Sequence, residues 1–121
     1  MVLAVNQFTF NQEVLSSTTP VLVNFWAPWC GICRMIDPLL VEIQTEWNDQ
    51  IKLVSINADE NLKLSNAYKL KTLPTIFLFN QETILCRLER FRNRDDLHTA
   101  ATDLRSTLLH ILPYHSYSAS A

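Results

Sequence analysis

The sequence holds one glycine, Gly31, in 121 residues, where average usage of about 7% would supply about eight. Tight turns elsewhere must be built without the residue that enters left-handed backbone freely, and Asn, Asp and Pro are the expected substitutes. Cysteine is scarce too. Three is a low and odd number, which excludes a secreted fold stapled by several disulfides. No apolar run approaches the ~20 residues of a membrane-spanning helix, and Met1–Val5 is too short and uncharged for a signal peptide, with Asn6 interrupting it. Neither charge dominates. The net charge is −2 with both signs spread along the chain, so the electrostatic footprint of a nucleic-acid binder is missing. These absences predict a cytoplasmic protein that binds neither nucleic acid nor membrane, and a monomer is expected.

Hydrophobic residues make up 48% of the chain, enough for one core in one domain. The domain is expected over residues 1–112, followed by a flexible polar tail over 113–121. Val2–Val5 reads as a short strand and Thr9–Leu15 as a short helix with Thr9 as its N-cap. Pro20–Trp26 is a β-branched apolar run that reads as a buried central strand. After a loop over Ala27–Gly31, apolar residues from Ile32 to Trp47 recur at helical spacing, with Pro38 inside that helix. Ile51–Asn57 and Pro74–Phe79 read as strands around a short helix, Asn61–Tyr68. Asn80–Glu82 then turns the chain into an antiparallel strand, Thr83–Glu89. A last amphipathic helix covers Asp95–Leu112, with Leu97, Leu104, Leu108, Leu109 and Ile111 as its buried set. The order βαβαβαββα implies an α/β fold with a central mixed sheet and helices on both faces.

The chemistry lies in Cys30 and Cys33. Cys30 follows a buried strand and opens a helix, where orphan N–H groups and the helix dipole favour a thiolate. A thiolate is the attacking species in disulfide exchange. Cys33 stands one turn on, on the same face, so Cys30 reads as the nucleophile, half-exposed, and Cys33 as the buried resolving thiol. Two other readings stay open. Half of a zinc site would need further ligands, and Cys86, His98, His110 and His115 are scattered singly. Two inert buried cysteines would fit poorly with the strand–loop–helix context. Cys86, the odd cysteine, reads as a small buried hydrophobe on the last strand, with a regulatory thiol as the alternative.

The segment Phe25-Trp-Ala-Pro-Trp-Cys-Gly-Ile-Cys33 resembles the thioredoxin family, and Pro38, Asn57-Ala-Asp59 and Thr72-Leu-Pro-Thr-Ile76 follow in that family's order. The resemblance implies the thioredoxin fold and a redox pair at Cys30 and Cys33. It also implies a cis peptide before Pro74, and a substrate rim made by Trp29, Gly31, Ile32, Leu73 and Pro74. It implies protein-disulfide reductase activity on disulfide-containing target proteins, re-reduction by a thioredoxin-type reductase, and no bound cofactor or metal. Four departures modify this. Asn24 stands where relatives carry a buried aspartate, and Ser55 where they often carry a lysine, so a neutral polar pair is expected to tune the cysteines in place of a charged one. Ile32 replaces the usual proline and adds an N–H that could point at the sulfurs, predicting a potential less negative than about −270 mV. Arg90 replaces a glycine beside the groove, and with Arg87, Arg92 and Arg94 it suggests a basic, partner-selecting edge. These departures keep two alternatives alive: a thioredoxin-fold binding module with weak redox turnover, and a more oxidising or isomerase-like thiol protein.

Overall fold

Alternation along the strands decides the layers. The computed structural model describes residues 2–112; the expected tail over 113–121 lies outside the described residues. Five strands, β1 (Val2–Ala4), β2 (Val21–Trp26), β3 (Lys52–Asn57), β4 (Thr75–Asn80) and β5 (Thr83–Leu88), form one sheet in the order β1-β3-β2-β4-β5. β1 and β2 run parallel to β3, while β4 runs antiparallel to both β2 and β5, so the sheet is mixed. Because side chains alternate between faces, Leu22, Leu53, Ile76 and Leu78 point to one side, where they pack with α1 (Gly31–Trp47) and α3 (Arg94–Ile111). Val21, Val23, Phe25, Val54, Ile56, Phe77 and Phe79 point to the other, against Phe10, Val14, Leu64 and Tyr68. Phe10 and Val14 lie at the start of and within a π-helical turn (Asn11–Leu15), and Leu64 and Tyr68 within and just after α2 (Leu62–Ala67). The expected three-layer arrangement is what forms, with β2 buried from Val21 to Phe25.

Several local expectations change. Thr9 does not cap the first helical segment, whose N-cap residue is Phe10, without a side-chain cap bond; in the turn before it Asn6 Oδ1 accepts from the N–H groups of Phe8 (2.8 Å) and Thr9 (3.1 Å), and Thr9 Oγ1 accepts in return from Asn6 N–H (3.1 Å). This reciprocal pair works like a capping box within that turn. Asn61 is the N-cap residue of α2 but makes no side-chain cap bond; its Oδ1 accepts from Gln7 N–H at 2.8 Å and its Nδ2 donates to Asn57 O at 2.9 Å, tying the loop after β1 to the end of β3. In α3 the buried stripe is Leu97, Ala100, Ala101, Leu104 and Leu108, whereas Leu109 is 56% exposed and Ile111 only half-buried. Leu109 sits about 100° round the helix from Leu108, and the alanines let α3 lie close to the sheet.

Left-handed backbone is carried by Asn48 (φ 52°), Lys69 (φ 53°), Gln81 (φ 58°) and Arg90 (φ 64°). Only the first is one of the expected substitutes for glycine; long side chains occupy the other three corners. Gly31 itself is the first residue of α1 and has no positive φ. The β4–β5 pairing shifts between Leu78, opposite Cys86, and Phe79, opposite Ile84, leaving Leu85 as a bulge residue. Arg105 of α3 reaches Glu46 (2.8 Å) and Glu42 (3.3 Å) on α1 and locks the two helices on their shared face.

Candidate functional site

β2 delivers the chain to the site. Its last residues lead into a loop closed by Cys30 N–H donating to Ala27 O at 3.1 Å, and α1 starts immediately after. Cys30 is the N-cap residue of α1, in extended backbone, and its Sγ accepts the N–H of Cys33 at 3.2 Å. Cys30 and Cys33 are joined as a disulfide with their Cα atoms 5.4 Å apart. One turn of helix brings the two sulfurs together, so the bonded pair replaces both the zinc and the inert-cysteine readings. Among the described residues, no group of three or more His, Cys, Asp or Glu is placed to hold a metal ion.

Two expectations about the pair are corrected. Cys30 is not half-exposed: it is 5% exposed against 3% for Cys33, because its sulfur folds back over the first turn of α1. The donor that reaches Cys30 Sγ is the Cys33 N–H and not that of Ile32. The Ile32 N–H, expected to point at the sulfurs, makes no hydrogen bond to Cys30 Sγ.

Around the pair, Trp29 is 70% exposed, and its indole Nε1–H donates to Asp59 Oδ2 at 2.8 Å. Asp59 lies in the 3₁₀ turn after β3, where Asn57 Oδ1 accepts from its N–H at 2.9 Å. Trp26 is half-buried. The Leu73–Pro74 bond is cis, with Pro74 buried and Leu73 half-buried. Arg90, in left-handed backbone, donates its N–H to Thr72 Oγ1 at 3.2 Å. The structure thus brings Arg90 to the loop that carries Leu73 and Pro74, as the alignment with a glycine position suggested. The basic edge is smaller than expected. Arg87 turns away to donate to the carbonyls of Tyr68 and Lys69, pairs with Glu89, and lies over the Phe77 ring. Arg92 pairs with Asp96. Cys86 is not fully buried as expected: it is half-buried on β5, with its Sγ 3.3 Å from Thr107 Oγ1.

Beneath the pair, Asn24 and Ser55 are direct neighbours across β2 and β3. They do not form the expected pair. Asn24 Nδ2 donates instead to Asp37 Oδ1 on α1, at 2.9 Å. Asn24 is 3% exposed, and its Oδ1 is buried without a hydrogen-bond partner. Partial burial pushes the Asp37 carboxyl above its ordinary range, and the Asn24 bond opposes that shift. Residue spacing could have found Asp37: it is four residues after Cys33 on the same helix, hence on the same face.

The thioredoxin family model matches residues 1–103. The chain belongs to the thioredoxin family. It is 50% identical over 76 residues to "Thioredoxin 1" of Synechococcus elongatus, a match that covers 63% of this chain and 71% of that one. It is 48% identical over 75 residues to "Thioredoxin 1" of a Nostoc species, covering 62% and 70%. It is also 49% identical over 76 residues to "Thioredoxin M-type, chloroplastic" of Chlamydomonas reinhardtii, covering 63% and 54%. Family membership together with the bonded Cys30–Cys33 pair makes this thioredoxin-family chain a thiol–disulfide oxidoreductase. No described helix is long and apolar enough to cross a membrane.

Proposed function

We propose that the protein is an electron carrier that reduces disulfides in target proteins. The Cys30 thiolate attacks a substrate sulfur, forming a mixed disulfide and releasing one substrate thiolate. Cys33 then attacks Cys30 Sγ, the internal disulfide forms, and the second substrate thiolate leaves. Two electrons pass to the substrate, and a thioredoxin-type reductase returns them. The pair carries the electrons itself, so no bound cofactor enters the scheme.

The observation that carries this reading is Cys30 Sγ at the N-cap of a 17-residue helix, accepting an N–H of the first turn. The same donor and the helix dipole stabilise negative charge on that sulfur. Trp29, Gly31, Ile32, Leu73, Pro74 and Arg90 are proposed as the substrate rim, supported by the exposure of Trp29 and by the link from Arg90 to Thr72. Arg90 adds a positive charge there and favours acidic clients. Asn24 is proposed to tune the pair from below, and the neighbouring Ser55 has the weaker claim. The proposed setting is the cytoplasm, where thiols are kept reduced, with the chain acting as a monomer.

The test is trapping. Cys33→Ser is expected to accumulate client proteins bound through Cys30, seen on non-reducing gels and by mass spectrometry, while Cys30→Ser accumulates none. Turnover of a model disulfide by the Cys30→Ser variant would overturn the assignment. Clients held non-covalently by the wild type, with no trapped adduct, would favour the binding-module reading.

A further inference from the structure

Resolution requires the Cys33 thiol to lose a proton before it can attack, and the structure contains a carboxylate set to receive it. Cys33 and Asp37 are one turn apart on α1 and line the same cleft, of about 260 Å³, together with Trp26, Ala27, Pro28 and Arg34. A cleft of that size, with Arg34 and Asp37 as polar groups on an otherwise largely apolar wall, has room for water. On its other side Asp37 borders a second cavity, of about 360 Å³, lined by Val2, Asn24, Leu40, Val41, Leu53 and Ser55. Asn24 bridges from the sheet to the Asp37 carboxyl at 2.9 Å. Asn24 buries its own amide oxygen without a partner, an arrangement that costs free energy; holding Asp37 in place gives that cost a purpose.

We propose that Asp37 is the proton acceptor for Cys33 during resolution, through water in the shared cleft, and that Asn24 is the residue that positions it. The proposal rests on the reading of Cys33 as the resolving thiol. The Cys33 proton passes to water and from water to Asp37. The Cys33 thiolate attacks Cys30 Sγ, the Cys30–substrate bond breaks, and the substrate thiolate departs with the electron pair. The proton on Asp37 then returns to solvent across the open rim of the cleft.

The electrostatic surroundings suit the task. Of the residues lining the two cavities, the titratable or charged ones besides Asp37 are Cys33 and Arg34, both on α1; β1, β2 and β3 contribute the neutral Val2, Asn24, Leu53 and Ser55. As a residue Asp37 is exposed at the rim, but its carboxyl is partly withdrawn from water, which raises its proton affinity toward that of a useful base.

The experiment follows resolution alone. Reduced protein, in a Cys86→Ser background, is mixed with excess 5,5′-dithiobis(2-nitrobenzoate), and the second, concentration-independent release of nitrothiobenzoate is timed by stopped flow from pH 5.5 to 9.5. Asp37→Asn is expected to slow that phase about a hundredfold at pH 7, the low end of what a positioned base contributes. The deficit should vanish above the pH where the thiol ionises unaided. Asp37→Glu should restore most of the rate. Superimposable rate–pH curves for wild type and Asp37→Asn would overturn the proposal. A unimolecular second release in Cys33→Ser would overturn the resolving role itself, whatever the Asp37 variants do.

Discussion

Replacing Asn24 by Asp puts a second carboxyl where the Asn24 amide now donates to Asp37 at 2.9 Å. The substitution deletes a hydrogen bond to a charged acceptor, worth about 1.5–3 kcal/mol. It also sets two like charges about 4 Å apart, which at an effective dielectric near 20 costs about 4 kcal/mol. The pair can escape that repulsion by keeping one proton between them. The folded protein then binds one more proton than the unfolded chain at every pH between the unfolded carboxyl range and the raised native value. A carboxyl whose native pKa is raised confers stability that is full at low pH and is lost as pH rises, with a slope of about 1.4 kcal/mol per pH unit for one proton. From pH 5 to pH 7 the variant should therefore lose about 2–3 kcal/mol relative to wild type. Urea unfolding of the oxidised protein at pH 5, 6, 7 and 8, with the slope m held common, measures this directly. Wild type should show a weaker trend of the same sign, because Asp37 is itself raised by burial. Parallel stability–pH curves for variant and wild type would refute the contact between β2 and α1 as described.

Lys69→Gly should stabilise by about 0.5–1 kcal/mol: a left-handed non-glycine residue costs about 1–2 kcal/mol, and the added freedom of glycine in the unfolded chain takes back about 0.5–1; thermal melts read the difference. Asn93→Ala removes the side chain that accepts from Asp96 N–H at 3.0 Å at the start of α3 and should cost about 1 kcal/mol, seen as a lower urea midpoint. The Asp96 carboxyl, held below its ordinary range chiefly by the Arg92 backbone N–H, stabilises the fold above the unfolded carboxyl pKa. That contribution is lost as pH falls through the native value, so Asp96→Asn should flatten the acid limb of the unfolding curve.

β2 and β4 are legible because their apolar, β-branched runs are short and bounded by turn residues, as buried strands are; β3 is legible from a similar run, with Ser55 half-buried within it. The Cys30–Cys33 spacing and the Leu-Pro-Thr segment were equally legible. Arg90 was found by alignment with a glycine position, and its φ of 64° gives the reason. Long-range side-chain partners were not legible. Asn24 looked like half of a pair with Ser55, since adjacent strands set them side by side; only the packing of α1 over the sheet shows that its amide reaches Asp37. Helical spacing tolerates an error of one residue, so it admits Leu109 to the buried set, while Ala100 and Ala101 mark the true stripe of α3 only weakly. The burial of Cys30 depends on how its sulfur folds over the first turn, which no sequence pattern encodes.

Gly31 gains a new meaning beside the four left-handed corners. The chain places glycine at none of the positions where backbone geometry rewards it, and keeps one where geometry is indifferent. A methyl group built on Gly31 would meet nothing within 4 Å, so the domain would close equally well around alanine. The room left beside the disulfide faces outward, toward whatever chain comes to lie across it.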